Sequence, residues 1–344
     1  MNLQHRIEAG VLKGAMGLPE RVQQLLAGKP VVIDGQTLAP ETQLMLKLQK
    51  LATKPVESLP IPEGRVQLDQ QSVMAGGEQP IGAVRDLDAA GIPVRLYTPR
   101  VLVGAQAPTP LLVFLHGGGF IYGGLESHDA PCRVLAEQAG VQVLAVDYRL
   151  APEHPFPAAY DDCVAAYRWA QEHAAELNAD PQRYAVGGDS AGGHLAIGVA
   201  VEAARAGLPL AFQLLVYPTT TTAHDTRSAE LFSQGFFLTA GFMELATENY
   251  LPVVAERSDP RAAPALVDLP DGLAPAYLCT AGFDPLRDEG EAFARTLSEA
   301  GVEVELHRFP DQIHGFFNLT GVGRRSPAAI AQIAQALGRG LGTR

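Results

Sequence analysis

Apolar positions change their spacing twice along this chain. Up to about residue 60 they come in short helix-like pieces. The clearest is 40–51, where Leu44, Leu48 and Leu51 recur at helical spacing before Pro55, Pro60 and Pro62 interrupt the pattern. That stripe is too short to form a core of its own, so the segment is expected to pack on something else. From about Arg65 the pattern turns to strands. Residues 83–87 and 94–97 flank Gly91, which predicts an antiparallel pair turning there.

Strands and helices then alternate. Short apolar runs at 111–115, 141–146, 184–186, 212–216, 276–280 and 302–306 read as strands buried on both faces of a parallel sheet. Helical patterns lie between them at 158–177, at 191–206 before Gly207, and at 291–300 before Gly301. This alternation predicts an α/β fold, a mostly parallel sheet with helices on both faces. The stretch 219–274 breaks the rhythm. It holds a helix-like piece, 240–250, but no clear buried strand, and an insertion of that length is expected to be functional. The chain therefore divides into a helical N-terminal segment, 1–60, and a catalytic-type α/β unit, 61–344, carrying the insertion.

Composition narrows the function classes. Of 344 residues, 47% are apolar and 19% charged, which suits a globular protein. The formal net charge of −12 argues against a nucleic-acid partner, since phosphate binding needs a basic surface. Cys132, Cys163 and Cys279 are odd in number and widely separated, so they read as free thiols in a reducing compartment, and no pair has metal-ligand spacing. Residues at the N-terminus lack a signal-peptide pattern, and no apolar run is long enough for a membrane anchor. A cytoplasmic protein is the expectation.

Local motifs carry the chemistry. Gly188-Asp189-Ser190-Ala191-Gly192 follows one strand and opens the 191–206 helix. A serine on such a turn projects its hydroxyl away from the backbone, and glycines on either side let neighbouring chain come close. The helix start adds unpaired N–H groups and a positive dipole end beside it. Ser190 is the candidate nucleophile. A bare G-x-S-x-G also occurs in ordinary glycine-rich turns, and here the strand and helix on its flanks decide. His116-Gly117-Gly118-Gly119-Phe120 follows the 111–115 strand, and its exposed N–H groups can meet an oxyanion. A phosphate cradle is the alternative, but no G-x-G-x-x-G or G-K-[ST] spacing is present. His116 is expected to anchor the glycine loop rather than act as base. Asp284 and His314 each stand just beyond a predicted strand, at the edge where open α/β sheets carry their sites. Singly they could be a helix cap and a loop residue.

Together these motifs resemble the hormone-sensitive-lipase-like family of α/β-hydrolases, the bacterial esterases with H-G-G-G and G-D-S-A-G motifs. The likeness covers about residues 65–320. It includes Asp147-Tyr148-Arg149-Leu150-Ala151-Pro152-Glu153, Asp284 to Asp288 and His314-Gly315-Phe316. The order Ser, Asp, His is the one α/β-hydrolases share. The resemblance implies a Ser190–His314–Asp284 triad, with oxyanion donors from Gly118, Gly119 and Ala191 and with Gly117 next in line. It implies a helical cap formed by the N-terminal segment and part of 219–274, and hydrolysis of short- to medium-chain acyl esters through an acyl-enzyme. It implies a small-molecule ester as partner, no cofactor or metal, and a homodimer as one state to consider. Amide hydrolysis by the same groups stays open. A receptor on the same fold that has lost its base is disfavoured by the presence of His314.

Overall fold

The computed structural model describes residues 10, 12–52 and 54–343. Residues 1–9, on which the reading of the N-terminus partly rests, lie outside the described residues.

Ten strands are described. A small hairpin pairs β1 (Val32–Ile33) with β2 (Gln36–Thr37). The other eight are β3 (Ala83–Ala89), β4 (Ile92–Thr98), β5 (Thr109–Leu115), β6 (Gln142–Val146), β7 (Ala179–Asp189), β8 (Phe212–Val216), β9 (Ala276–Phe283) and β10 (Val304–Ile313). They form one sheet in the order β10-β9-β8-β7-β5-β6-β4-β3. From β6 to β10 every pairing is parallel, while β4 runs antiparallel to both β3 and β6. The expected hairpin is present. Ala89 pairs with Ile92, and the two residues between them, Ala90 and Gly91, both have positive φ, as a tight two-residue turn requires.

The unbroken apolar run of β5 has a direct cause. Leu111, Val113 and Leu115 face a core shared with helices Ala158–Glu172 and Ala191–Ala206. Leu112 and Phe114 face a second core shared with helices Asp129–Ala139 and Arg325–Gly340. With both faces covered, neither parity can be polar. β10 departs from the expectation. It begins later than 302 and is buried only at Phe309, Gln312 and Ile313, near its carboxyl end, because it is the edge of the sheet.

A second difference lies at 61–76. Strand signals were expected from about Arg65, but Ile61–Gly76 is a helix with Pro62 in its first turn. Proline there starts a helix rather than breaking one, since the N–H it lacks would have had no partner. In the Pro40–Ala52 helix, Leu44 is buried, Leu48 partly so and Leu51 exposed. Glu41 of this helix accepts hydrogen bonds from the backbone N–H groups of Arg324 and Arg325 at 2.7–3.0 Å, capping the C-terminal helix. The insertion carries helices Arg227–Phe232 and Ala240–Tyr250, each capped by a threonine, Thr226 and Thr239. Thr239 also donates to Glu57 at 2.6 Å, tying the insertion to the N-terminal segment. Cys132, Cys163 and Cys279 are free and buried. No described helix is long and apolar enough to cross a membrane.

Candidate active site

β5 and β7 are neighbours, yet β6 lies on one side of this pair and β8 on the other. The crevice outside their carboxyl ends is therefore the switch point of the sheet, where ligands bind in open α/β folds. The glycine loop leaves β5 there and Ser190 leaves β7. Ser190 has φ 57° and ψ −119°, a conformation L-residues rarely adopt. It is held by its own N–H, which donates to the Val216 carbonyl at 2.9 Å, and by the helix that begins at Ala191. Gly192 is obligatory in the first turn of that helix, because a Cβ there would collide with the Leu115 carbonyl.

Asp284 and His314 leave β9 and β10 at the same edge of the sheet. The Ser190 hydroxyl lies 2.9 Å from Nε2 of His314, and His314 Nδ1 lies 2.7 Å from Oδ2 of Asp284. Asp284 is fully buried and also accepts the Leu286 N–H at 2.8 Å. An acceptor carboxylate on Nδ1 fixes the tautomer that leaves Nε2 free to take the serine proton. The Tyr217 ring packs 4.5 Å from the imidazole, centroid to centroid. Asp288 sits in the first turn of helix Arg287–Glu299, where it accepts the Ser228 N–H at 2.9 Å and the Arg287 guanidinium at 2.8 Å.

In the glycine loop, Gly118, Gly119 and Phe120 all have positive φ. Among the described residues none accepts a hydrogen bond from the backbone N–H of Gly118, Gly119 or Ala191. Gly117 requires a correction. It was expected as a further oxyanion donor, but its N–H donates to Asp189 Oδ1 at 2.9 Å and is not free. Asp189 also meets His128 Nε2 at 3.1 Å. Burial alone would raise the Asp189 pKa, but His128 and the Gly117 N–H outweigh it and hold the carboxyl below its usual range. In the sequence Asp189 stands only as a middle residue of the nucleophile motif. Its place beside Ser190 is the signal that could have marked it as a tie between elbow and loop. His116 anchors the loop as expected. Its Nδ1 lies 2.9 Å from the Gly117 carbonyl, its ring stacks on Tyr148 at 4.1 Å, and burial pushes its pKa down to about 3. It is neutral and does not contact Ser190.

A cavity lies over Ser190. Its apolar wall includes Phe120, Leu238, Phe242, Tyr250 and Leu251, four of them from the insertion. Phe236 and Phe237 lie outside that wall. Phe236 packs with Phe232 and Phe283, and the half-exposed Phe237 leans on Gly315. Among the described residues, no three His, Cys, Asp or Glu side chains cluster to hold a metal ion.

Comparison with known proteins agrees with this architecture. Residues 112–318 match the model of a family described by its alpha/beta hydrolase fold. The chain is 43% identical to the carboxylic ester hydrolase LipN of Mycobacterium tuberculosis (strain ATCC 25618 / H37Rv), over 93% of this chain and 88% of the relative. It is 38% identical to the ethyl acetate hydrolase of Pseudomonas putida, over 82% and 91% of the two chains. Among solved structures, an ester hydrolase from the metagenome of Lake Arreo, complexed with a bipyridine phosphonate derivative, superposes with a TM-score of 0.85. It is 40% identical, with 89% of this chain and 100% of that one covered.

Proposed function

This chain belongs to the hormone-sensitive-lipase-like esterase family of α/β-hydrolases and is a carboxylic-ester hydrolase, and we propose that it works through Ser190, His314 and Asp284 on esters of short to medium acyl chains. One observation carries the reading: the unbroken hydrogen-bond relay from the Ser190 hydroxyl through His314 to Asp284, at 2.9 and 2.7 Å.

In this reading His314 Nε2 takes the Ser190 proton as Oγ attacks the ester carbonyl. The oxyanion is met by the N–H groups of Gly118, Gly119 and Ala191, one such donor being worth about 10²–10³ in rate elsewhere. The tetrahedral intermediate collapses, and His314 returns the proton to the leaving alcohol. Water then repeats the sequence on the acyl-enzyme. Asp284 holds the imidazole in place and stabilises its transient positive charge.

The N-terminal segment up to residue 60 and part of 219–274 act as a cap in this proposal. Support comes from the Glu57–Thr239 hydrogen bond and from the insertion side chains over Ser190. An enclosed apolar pocket sets the acyl preference at about two to eight carbons, because each methylene that fits gains about 0.8 kcal/mol while one that does not costs about 1–3 kcal/mol of repacking. The test is kcat/KM for p-nitrophenyl esters of increasing length, with matched anilides alongside. The expected profile climbs and then breaks, with anilides far slower. A steady rise into long chains would contradict the enclosed pocket, and faster anilide turnover would contradict the ester preference.

A further inference from the structure

The apolar cavity over Ser190 adjoins a second, more open cleft. The two share Thr222, His224, Met243 and Thr247. Beyond the shared residues they differ in chemistry. The catalytic cavity is walled largely by aromatic and aliphatic side chains, and the cleft adds Glu230, Glu244, Glu248, Ser233 and Arg257. His224 is the ionisable side chain common to both.

Its imidazole is fixed from behind. Nδ1 lies 2.9 Å from Oε2 of Glu289, whose side chain is only 3% exposed. The other oxygen of Glu289 accepts the N–H groups of Thr220 at 2.7 Å and Thr221 at 3.3 Å, and the Thr219 hydroxyl at 3.3 Å. One buried carboxylate thus holds both the chain leaving β8 and the ring that stands on it. The backbone of His224 is itself left-handed, at φ 47°, a conformation that needs such support in a residue other than glycine. With Nδ1 occupied, Nε2 is the polar atom left over. Among the described residues none hydrogen-bonds to it, and unlike Nε2 of His116 it is not sealed from solvent. The arrangement is a carboxylate-backed imidazole facing the junction of an apolar and a polar chamber, and the hydrolytic relay does not use it.

We propose that His224 determines specificity by hydrogen-bonding, through Nε2, a hydroxyl on the part of the ester that reaches from the apolar cavity into the cleft. The inference rests on the ester-hydrolase reading above. A hydroxyl both donates and accepts, so it pairs with Nε2 whether or not that nitrogen carries a proton. A carboxylate does not suit the cleft, where Glu230, Glu244 and Glu248 outnumber Arg257 and would repel it. The substrate class is therefore an ester with one apolar arm and one uncharged hydroxylated arm. The hydroxyl can belong to the alcohol, as in a polyol monoester, or to the acid, as in a hydroxy-acid ester.

The experiment compares kcat/KM within matched pairs: glycerol monobutyrate against propyl butyrate, and ethyl 3-hydroxybutyrate against ethyl butyrate, with the monoethyl ester of succinate as the charged control. Wild type is expected to favour the hydroxylated member of one pair by about tenfold, the upper end of what one neutral hydrogen bond supplies. The pair that responds tells which arm enters the cleft. His224→Phe keeps a ring but no nitrogen and should bring the ratio close to one. His224→Gln keeps a polar end and should retain part of it. Because each ratio is internal to one protein, a general loss of activity in a variant cancels. A wild-type ratio near one in both pairs overturns the proposal, as does a ratio that survives His224→Phe or a preference for the succinate monoester. If wild type hydrolyses the plain esters without discrimination, this inference fails alone. If it hydrolyses none of them, the ester reading fails and takes this inference with it.

Discussion

The carboxyl edge of the sheet and the insertion above it are built by opposite means. At the sheet edge little is left to move. Val216 and Asp284 are fully buried, Ser190 is held at a positive φ by the strand beside it, and each side chain of the proposed triad follows directly on a strand. The insertion is made of short helices and single 3₁₀ turns, and leaves Val254 69% and Leu266 58% exposed. Rigid placement suits a reaction whose rate depends on sub-ångström geometry. A lightly packed cover suits the admission of substrates and the choice among them. The lesson is a division of labour: changes at the edge should alter rate, and changes in the cover should alter selectivity.

That division can be broken most severely at Ser190. Ser190→Ala should lower kcat/KM by on the order of 10⁶, the scale seen when a hydrolase nucleophile is removed, with circular dichroism and Tm unchanged. Asp284→Asn comes next, at about 10⁴. Asp288→Asn should cost less than about tenfold in rate. Its effect belongs in stability, roughly 1 kcal/mol, because Asp288 accepts the Ser228 N–H in the first turn of an insertion helix. If the two aspartates ranked the other way, the acid of the relay would be misassigned. Asp189→Ala sharpens the comparison, since it frees the Gly117 N–H without touching the relay. Its kcat should fall by up to about 10², with KM little changed, as the loop loses its set. A KM effect of that size with kcat intact would make Asp189 a binding group instead. In the cover, Phe242→Ala should move the break in the acyl-length profile to longer chains and raise their kcat/KM about tenfold, while p-nitrophenyl acetate changes little. Smallest of all, Leu266→Ser should shift stability by no more than about 0.5 kcal/mol and leave the profile as it was, which thermal melts and the same ester series would check.

Much of the edge was legible beforehand because each element there announces itself locally. The apolar runs of β5 and β8, the glycines around Ser190 and the helix start at Ala191 are short-range signals that tertiary packing reinforces. The cover was legible only in outline. Pro62 read as a breaker although it opens the Ile61–Gly76 helix, since a proline at a first turn and a proline between helices look alike in sequence. The pocket wall was not legible at all: Leu238 and Phe242 line it while the neighbouring Phe236 and Phe237 do not, because nothing local reveals which face of a short helix meets the cavity. Gly117 failed for another reason. Its donor is consumed by Asp189, 72 positions away along the chain, and a long-range partner leaves no trace in a local pattern. The same holds for His224 and Glu289, which lie 65 positions apart and meet only in the fold.

The central claim is that one serine, Ser190, forms a covalent acyl intermediate. The most direct measurement is mass spectrometry after incubation with a phosphonate ester that traps serine nucleophiles. The account predicts a single adduct, located at Ser190 by fragmentation, appearing in step with the loss of esterase activity and absent from folded Ser190→Ala. An adduct on a different serine, or full ester turnover by Ser190→Ala, would contradict it.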